Sequence, residues 1–164
     1  MFRSGDAIVH PTRGAGVIVS IDQRQWRGGV SQYYRIRLLD QPGTSLMIPI
    51  SEAETLGLRY AIEESDISQV WHVLASEPQV LPTDHKERYQ VLEGKLYAGD
   101  VYQVAEVVRD MAWRQREEGT LTTVGKRHYD ESVKMLAGEI AAAQGIELSE
   151  AQAQIIARLH ASQT

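Results

Sequence analysis

Near residue 57 the apolar residues of this chain change their spacing. Upstream they alternate with polar ones; downstream they return every three or four residues. A period of two belongs to a half-buried strand, and a period of 3.6 to a helix with one buried stripe. The pattern therefore predicts an α+β chain of two domains: a small β-barrel over residues 1–57, then an all-α bundle of about five helices over 58–164.

In the first unit, Ala7-Ile8-Val9 reads as a brief strand that stops at Pro11, and Arg13-Gly14-Ala15-Gly16 as a turn. Val17 to Ile21 is β-branched and short, and Arg27-Gly28-Gly29 marks a tight turn. Tyr34, Ile36 and Leu38 then alternate with Tyr33, Arg35 and Arg37, which turns two arginines outward. After Gln41-Pro42-Gly43, Leu46, Ile48 and Ile50 share a face, with Met47 on the other. Short strands, glycine turns and one buried face suggest closure into a barrel.

The clearest helix runs from Gly99 to Gly119. Asp100 can cap it with Gln103 at capping-box spacing, and Gly119 is a plausible stop. Val101, Val104, Ala105, Val108, Met111 and Ala112 form its stripe; Gln103, Glu106, Arg109, Asp110 and Arg114 fall off it and are expected in water. Four more helices surround it. Asp66 opens one with Ile67, Val70, Trp71 and Leu74 inward, ended by Pro78. Asp84 and Glu87 form a capping box for one with Tyr89, Leu92 and Leu96 inward. One runs from about Gly125 to Ala143 with Tyr129, Val133, Leu136, Ala137 and Ile140 inward, stopped by Gly145. Ser149 and Gln152 cap the last, with Ala151, Ile155 and Leu159 inward.

The same sequence argues against several classes of function. It has no cysteine among its 164 residues, so disulfides, thiolate nucleophiles and cysteine-zinc sites are excluded. The start, MFRSGDAIVHP, has no apolar signal core, and no run approaches membrane-spanning length; the expectation is a cytoplasmic protein without membrane contact. His10, His72, His85, His128 and His160 are scattered, with no carboxylate or second histidine at metal-ligand spacing. No phosphate loop, G-x-S-x-G or dinucleotide fingerprint is present. The chain is thus expected to be no enzyme, with no catalytic residue, metal, cofactor or small-molecule substrate.

Charge is uneven. The net is -5 overall, but residues 1–60 carry 7 Lys/Arg against 5 Asp/Glu, and residues 61–164 carry 10 against 17. The two units are therefore expected to meet different partners. Two polar groups stand out. Arg24, Arg35, Arg37 and Met47 on the sheet unit are either ordinary strand surface or a protein-binding face, since Arg and Met are enriched at interfaces. Lys86, Arg88, Lys126 and Arg127 lie near the starts of two helices, against the dipole preference. They are either solvated surface or phosphate contacts.

The chain resembles the CarD/CdnL family of bacterial transcription regulators over nearly its full length. The resemblance rests on FRSGDAIVHPTRGAGVIVSI at 2–21, Ile48-Pro49 with AETLGLR, LPTDHKERY at 81–89, GDVYQVAEVVRD at 99–110 and MLAGEIAAAQG at 135–145, in that order and spacing. The first unit also looks like the polymerase-interacting module of transcription-repair coupling factors, and its Gly5-Asp6 … Gly14-Ala15-Gly16-Val17-Ile18 is similar to Tudor- and KOW-like barrels.

The resemblance implies a Tudor-like barrel on the β subunit of RNA polymerase. It also implies a helical domain on promoter DNA at the upstream edge of the melted bubble, touching minor groove and phosphate backbone and altering open-complex stability. Arg24 matches a family arginine used on the polymerase, and Met47 stands where many members have a second one. Arg88 and Lys126 match basic positions on the DNA side. His85 stands where the family usually has a tryptophan that wedges into the minor groove. Two alternatives remain beside this reading: an adaptor on polymerase without DNA contact, and a ribosome- or RNA-binding barrel module drawing on Trp26 and Tyr33.

Overall fold

The computed structural model describes residues 1–162, apart from the side chain of Trp26. Strands β1 (Ala7–His10), β2 (Gly14–Trp26), β3 (Gly29–Leu38), β4 (Ser45–Pro49) and β5 (Arg59–Tyr60) form one antiparallel sheet in the order β4-β3-β2-β1-β5. The edge strands β4 and β5 do not pair, so the sheet is open and the expected closed barrel is not formed. The last strand, β5, pairs only on its β1 side, with Ile8 and Val9, before the chain leaves for the helices, so no backbone hydrogen bonds close the gap to β4. The sheet also outlasts the change of period at residue 57: Leu58 lies in its core, and the Ala61 N–H still donates to Ala7 O at 3.0 Å.

The inner face buries Ile8, Ile18, Tyr34, Ile36, Leu38 and Ile48, as their alternation requires. Gly14 and Gly16 belong to β2 rather than to a turn, which lies just before them. A Cβ at Gly16 would stand 2.7 Å from Arg37 O and 2.9 Å from Ile36 Cγ2, so only glycine allows this approach of β2 to β3.

Five helices follow: α1 (Ile67–Ala75), α2 (His85–Leu96), α3 (Val101–Glu118), α4 (Thr123–Gln144) and α5 (Leu148–Ser162). Their starts follow local chemistry. Asp84 accepts from the Glu87 N–H, Asp100 from the Tyr102 N–H and Thr122 from the Gly125 N–H. Gly119 and Gly145 end α3 and α4 at positive φ. Ser149 lies inside α5 instead of capping it: Glu147 O already accepts from the Glu150 and Ala151 N–H groups.

The stripe of α3 is buried as expected, but so are Arg109 (7 % exposed) and Asp110 (2 %), which were expected in water. Helices α1, α2 and α4 pack around α3 on several sides, so more than one stripe is covered. The two charges pair there, although Arg109 Nη2 and Asp110 Oδ2 have no hydrogen-bond partner among the described residues. Arg109 Nε donates to Asp110 Oδ1 at 2.8 Å, Arg109 Nη1 to Ser76 Oγ at 2.8 Å, and the Gln79 N–H to Asp110 Oδ1 at 3.0 Å. They tie the segment between α1 and α2 to the central helix.

Sheet and helices meet along α4. By the register, Ala7, Val9 and Ala15 point away from the inner face, and they pack with Ala61, Leu39 and Ala142. The helix offers small residues there: a Cβ at Gly138 would lie 3.4 Å from Ala15 Cβ, an ordinary contact.

Candidate interaction surfaces

On the sheet, the register puts all four residues of the first group on one face. Ser20 opposes Arg35, Asp22 opposes Tyr33 and Arg24 opposes Ser31, while Arg35 opposes Met47 and Arg37 opposes Ser45. Period two then places Arg24, Arg35, Arg37 and Met47 together, opposite the Ile36 core. Arg24 and Arg37 are exposed. Arg35 is committed within the sheet: its Nε and Nη2 donate to Asp22 Oδ2 at 2.8 and 2.6 Å, and Ser20 Oγ donates to Asp22 Oδ1 at 2.7 Å. These bonds, Ser20 first and Arg35 second, hold the Asp22 carboxyl below its usual pKa. Arg35 therefore stiffens the face, and Arg24 and Arg37 are the open cations on it.

In the helical unit, α2 and α4 run in the same direction. Tyr89 meets His128 with ring centroids 5.4 Å apart, His128 Nε2 lies 3.2 Å from Glu93 Oε1, and Tyr97 Oη donates to Glu131 Oε1 at 2.6 Å. That last bond pushes the Tyr97 pKa up to about 12. Both helix starts consequently lie at one end of the bundle, with Lys86 in the first turn of α2 and Lys126 and Arg127 early in α4.

Arg88 departs from expectation. The sequence groups it with the candidate phosphate-contacting cations, yet it is buried at 2 % exposure. Its Nη1 donates to Pro82 O and Thr83 O at 3.2 Å each, and its Nη2 lies 2.7 Å from His85 Nδ1. A guanidinium only donates, so His85 Nδ1 is the acceptor and the ring proton of the neutral imidazole sits on Nε2. Arg88 thus orients the exposed His85 ring, with Nε2–H as its outward donor. Pro82 and Thr83 precede the helix, and their carbonyls take the Arg88 guanidinium as their donor.

The other cations of the helical unit are largely occupied. Of the ten Lys/Arg after residue 60, Lys95, Arg109, Arg114 and Lys134 form ion pairs. Arg88 is buried, Arg158 lies over the Trp71 ring at 5.0 Å, and Arg116 is engaged as well. The three that remain are Lys86, Lys126 and Arg127, all exposed and without an ion pair among the described residues.

Residues 2–62 match the family model of the CarD-like/TRCF RID domain, and residues 69–156 that of the CarD C-terminal domain. The boundary between the two models falls just after β5, where the sheet ends. The chain belongs to the CarD/CdnL family. It is 30% identical over 148 residues to the "Putative transcription factor YdeB" of Bacillus subtilis (strain 168), covering 89% of this chain and 94% of that one. By family, this CarD-like chain is a transcription regulator. No helix among the described residues is long and apolar enough to cross a membrane.

Two buried polar positions of this CarD-like chain escape the sequence patterns. Glu139 is buried on α4 and bonded to Arg59 of β5, across the junction. Its signal was a lone charge inside the apolar run MLAGEIAAA. The second is His128, buried between α2 and α4 beside Tyr89; a histidine following Lys126 and Arg127 gives no such hint.

Proposed function

We propose that this CarD-like protein binds the β subunit of RNA polymerase through the outer face of its sheet, and promoter DNA at the upstream edge of the melted bubble through the starts of α2 and α4. The outcome is a change in open-complex lifetime, with no chemical step. The observation that carries the DNA half is the convergence of Lys86, Lys126 and Arg127, the three open cations of an acidic unit, beside the exposed His85. Two helix starts add their positive dipole ends to the same place. Phosphates would be met by the three cations. His85 would present Nε2–H to the minor groove, whose edge offers acceptors on both A·T and T·A pairs. The polymerase half rests on the family and on Arg24, Arg37 and Met47 sharing one face.

The deciding experiment measures open-complex lifetime and promoter footprint with the natural protein, Arg24→Glu and the double variant Lys126→Ala/Arg127→Ala. The first variant should lose polymerase binding, because like-charge contact on an acidic partner costs several kcal/mol. The second should keep polymerase binding and lose the upstream footprint. A second reading, an adaptor on polymerase without DNA contact, is favoured by the acidic balance of 10 Lys/Arg to 17 Asp/Glu in the helical unit. It requires that the natural protein leave the footprint unchanged.

A further inference from the structure

Glu139 is the one charged residue in a buried stretch of α4 that otherwise holds Leu136, Ala137, Gly138, Ile140, Ala141 and Ala142. Its side chain is 4 % exposed. Both carboxylate oxygens are used, and every donor belongs to the sheet side of the junction. Arg59 Nη2 donates to Oε1 at 2.8 Å, Arg59 Nη1 to Oε2 at 2.9 Å, and the Ile62 N–H to Oε2 at 2.8 Å. One carboxylate on the helical unit thus holds the edge strand β5 and the connecting segment together. The connection is short, since β5 ends at Tyr60 and the next helical turn begins at Glu64.

A buried ion pair is weak evidence for stability, because desolvation offsets most of the attraction. Its best-attested use is to fix a register. The surrounding contact needs such a device. Ala7, Ala15 and Ala61 of the sheet side meet Ala142 of α4, with Val9 and Leu39 beside them, and contacts made mainly by methyl groups carry little direction of their own. A bidentate guanidinium–carboxylate fork is directional and does not slide. We propose that Glu139 is a positioning residue: with Arg59 and the Ile62 amide it locks the angle between the sheet and the helical bundle.

The lock has leverage. Lys126 and Glu139 lie on the same helix, thirteen residues apart in sequence, or roughly 20 Å along the axis. A rotation of about 10° at the junction moves the Lys126 end by roughly 3.5 Å at that radius. Hydrogen bonds tolerate only a few tenths of an ångström. An unlocked junction therefore blurs any contact made at the start of α4 while the sheet stays docked. This functional consequence rests on the two-contact reading above; the lock itself does not.

The test uses the full chain, which has no native cysteine to interfere. Spin labels on Thr44→Cys and Gln152→Cys, both exposed, report the distance distribution between sheet and bundle. Glu139→Gln keeps the shape but sets an amide N–H₂ against the guanidinium donors, and should roughly double the width of that distribution. Arg59→Lys, which keeps the charge, removes the fork and buries no orphan, should broaden it less, and it serves if Glu139→Gln fails to fold. A width unchanged in the folded variants overturns the proposal. In the open-complex assay, Glu139→Gln should bind polymerase normally yet lose most of its effect on lifetime. Ala15→Cys/Gly138→Cys, added without labels, should restore the effect on oxidation, and failure to restore it rejects the lock as the cause. If the natural protein itself leaves open-complex lifetime unchanged, the promoter reading fails and the distance widths still decide the lock.

Discussion

Replacing Arg88 with methionine separates a buried scaffold from a phosphate contact. Methionine retains much of the stem packing and removes the three interactions with Pro82 O, Thr83 O and His85 Nδ1. A hydrogen bond to a charged group contributes about 1.5–3 kcal/mol. The three losses do not add, because Thr83 and His85 are exposed and Pro82 is half-buried, so water reaches the abandoned acceptors. The expected cost is roughly 2–3 kcal/mol, close to one such bond. For a chain of this length that lowers Tm by about 4–12 °C, read by far-UV circular dichroism. The same variant frees the His85 ring, so open complexes should shorten while the dependence of the promoter effect on log salt keeps its slope. Lys126→Ala supplies the contrast: stability is unchanged and the slope flattens by about 0.9 for one lost phosphate contact. If Arg88→Met keeps its Tm and flattens the slope as Lys126→Ala does, the guanidinium reaches a phosphate in the complex and the scaffold argument is wrong.

Gly16→Ala should cost about 3 kcal/mol or more, at the severe end for one substitution, because the new methyl meets the Arg37 carbonyl at 2.7 Å and backbone cannot yield cheaply. A urea midpoint equal to that of the natural protein would show that β2 and β3 have room to part. For position 85, open-complex lifetimes should rank His85→Trp longest, the natural protein next and His85→Ala shortest, with polymerase affinity equal in all. Stacking on a base contributes about 1–3 kcal/mol and an imidazole offers less area than an indole; equal lifetimes for histidine and alanine would remove the ring from the mechanism. His10 gives a pH dependence. Burial first, and the Arg13 charge second, lower its pKa, and its Nδ1 accepts from the Thr12 and Arg13 N–H groups at 3.1 and 3.0 Å, which needs a neutral ring. Because the folded value lies below the unfolded one, its contribution is present above about pH 6.5 and is lost as pH falls through the folded pKa. An NMR titration midpoint for His10 at or above about 6.5 would contradict this.

The helical unit was legible because its signals are local. Asp84, Asp100, Gly119 and Gly145 cap and stop helices through their own side chains or backbone, and a stripe such as Val101 to Ala112 needs only the 3.6-residue period. What sequence missed depends on who lies opposite. Arg109 and Asp110 look solvated on an isolated helix and are buried because α1, α2 and α4 all pack near α3. Arg88 looks like an open cation until the chain before α2 folds back and gives it carbonyls. Barrel closure failed for a similar reason: alternation predicts strands but says nothing about whether a two-residue β5 reaches β4. In the sheet, the residues of one face were legible, while the Asp22 partner that ties down Arg35 was not, since thirteen residues and a hairpin separate them.

A weak DNA contact is consistent with this distribution of charge. Three open cations give an expected salt slope near about 2.7, so a rise from 50 to 200 mM salt should weaken the DNA contact only about fortyfold. Proteins that anchor themselves by six to ten phosphates lose about a thousandfold or more over the same range. The helical unit, with 10 Lys/Arg against 17 Asp/Glu, cannot be such an anchor. On the proposed reading holding comes from the sheet, and docking there would raise the local concentration of the bundle to the order of millimolar. That gain is realised only if both contacts form at once. The outer face of the sheet serves both ends: Ala7, Val9 and Ala15 seat α4, while Arg24, Arg37 and Met47 stay clear of that seat. A docked sheet therefore fixes where α4 points, provided the junction at Glu139 does not turn. On the proposed two-contact reading, three cations and one imidazole would then suffice to bias an open complex and would release it readily when the polymerase moves on.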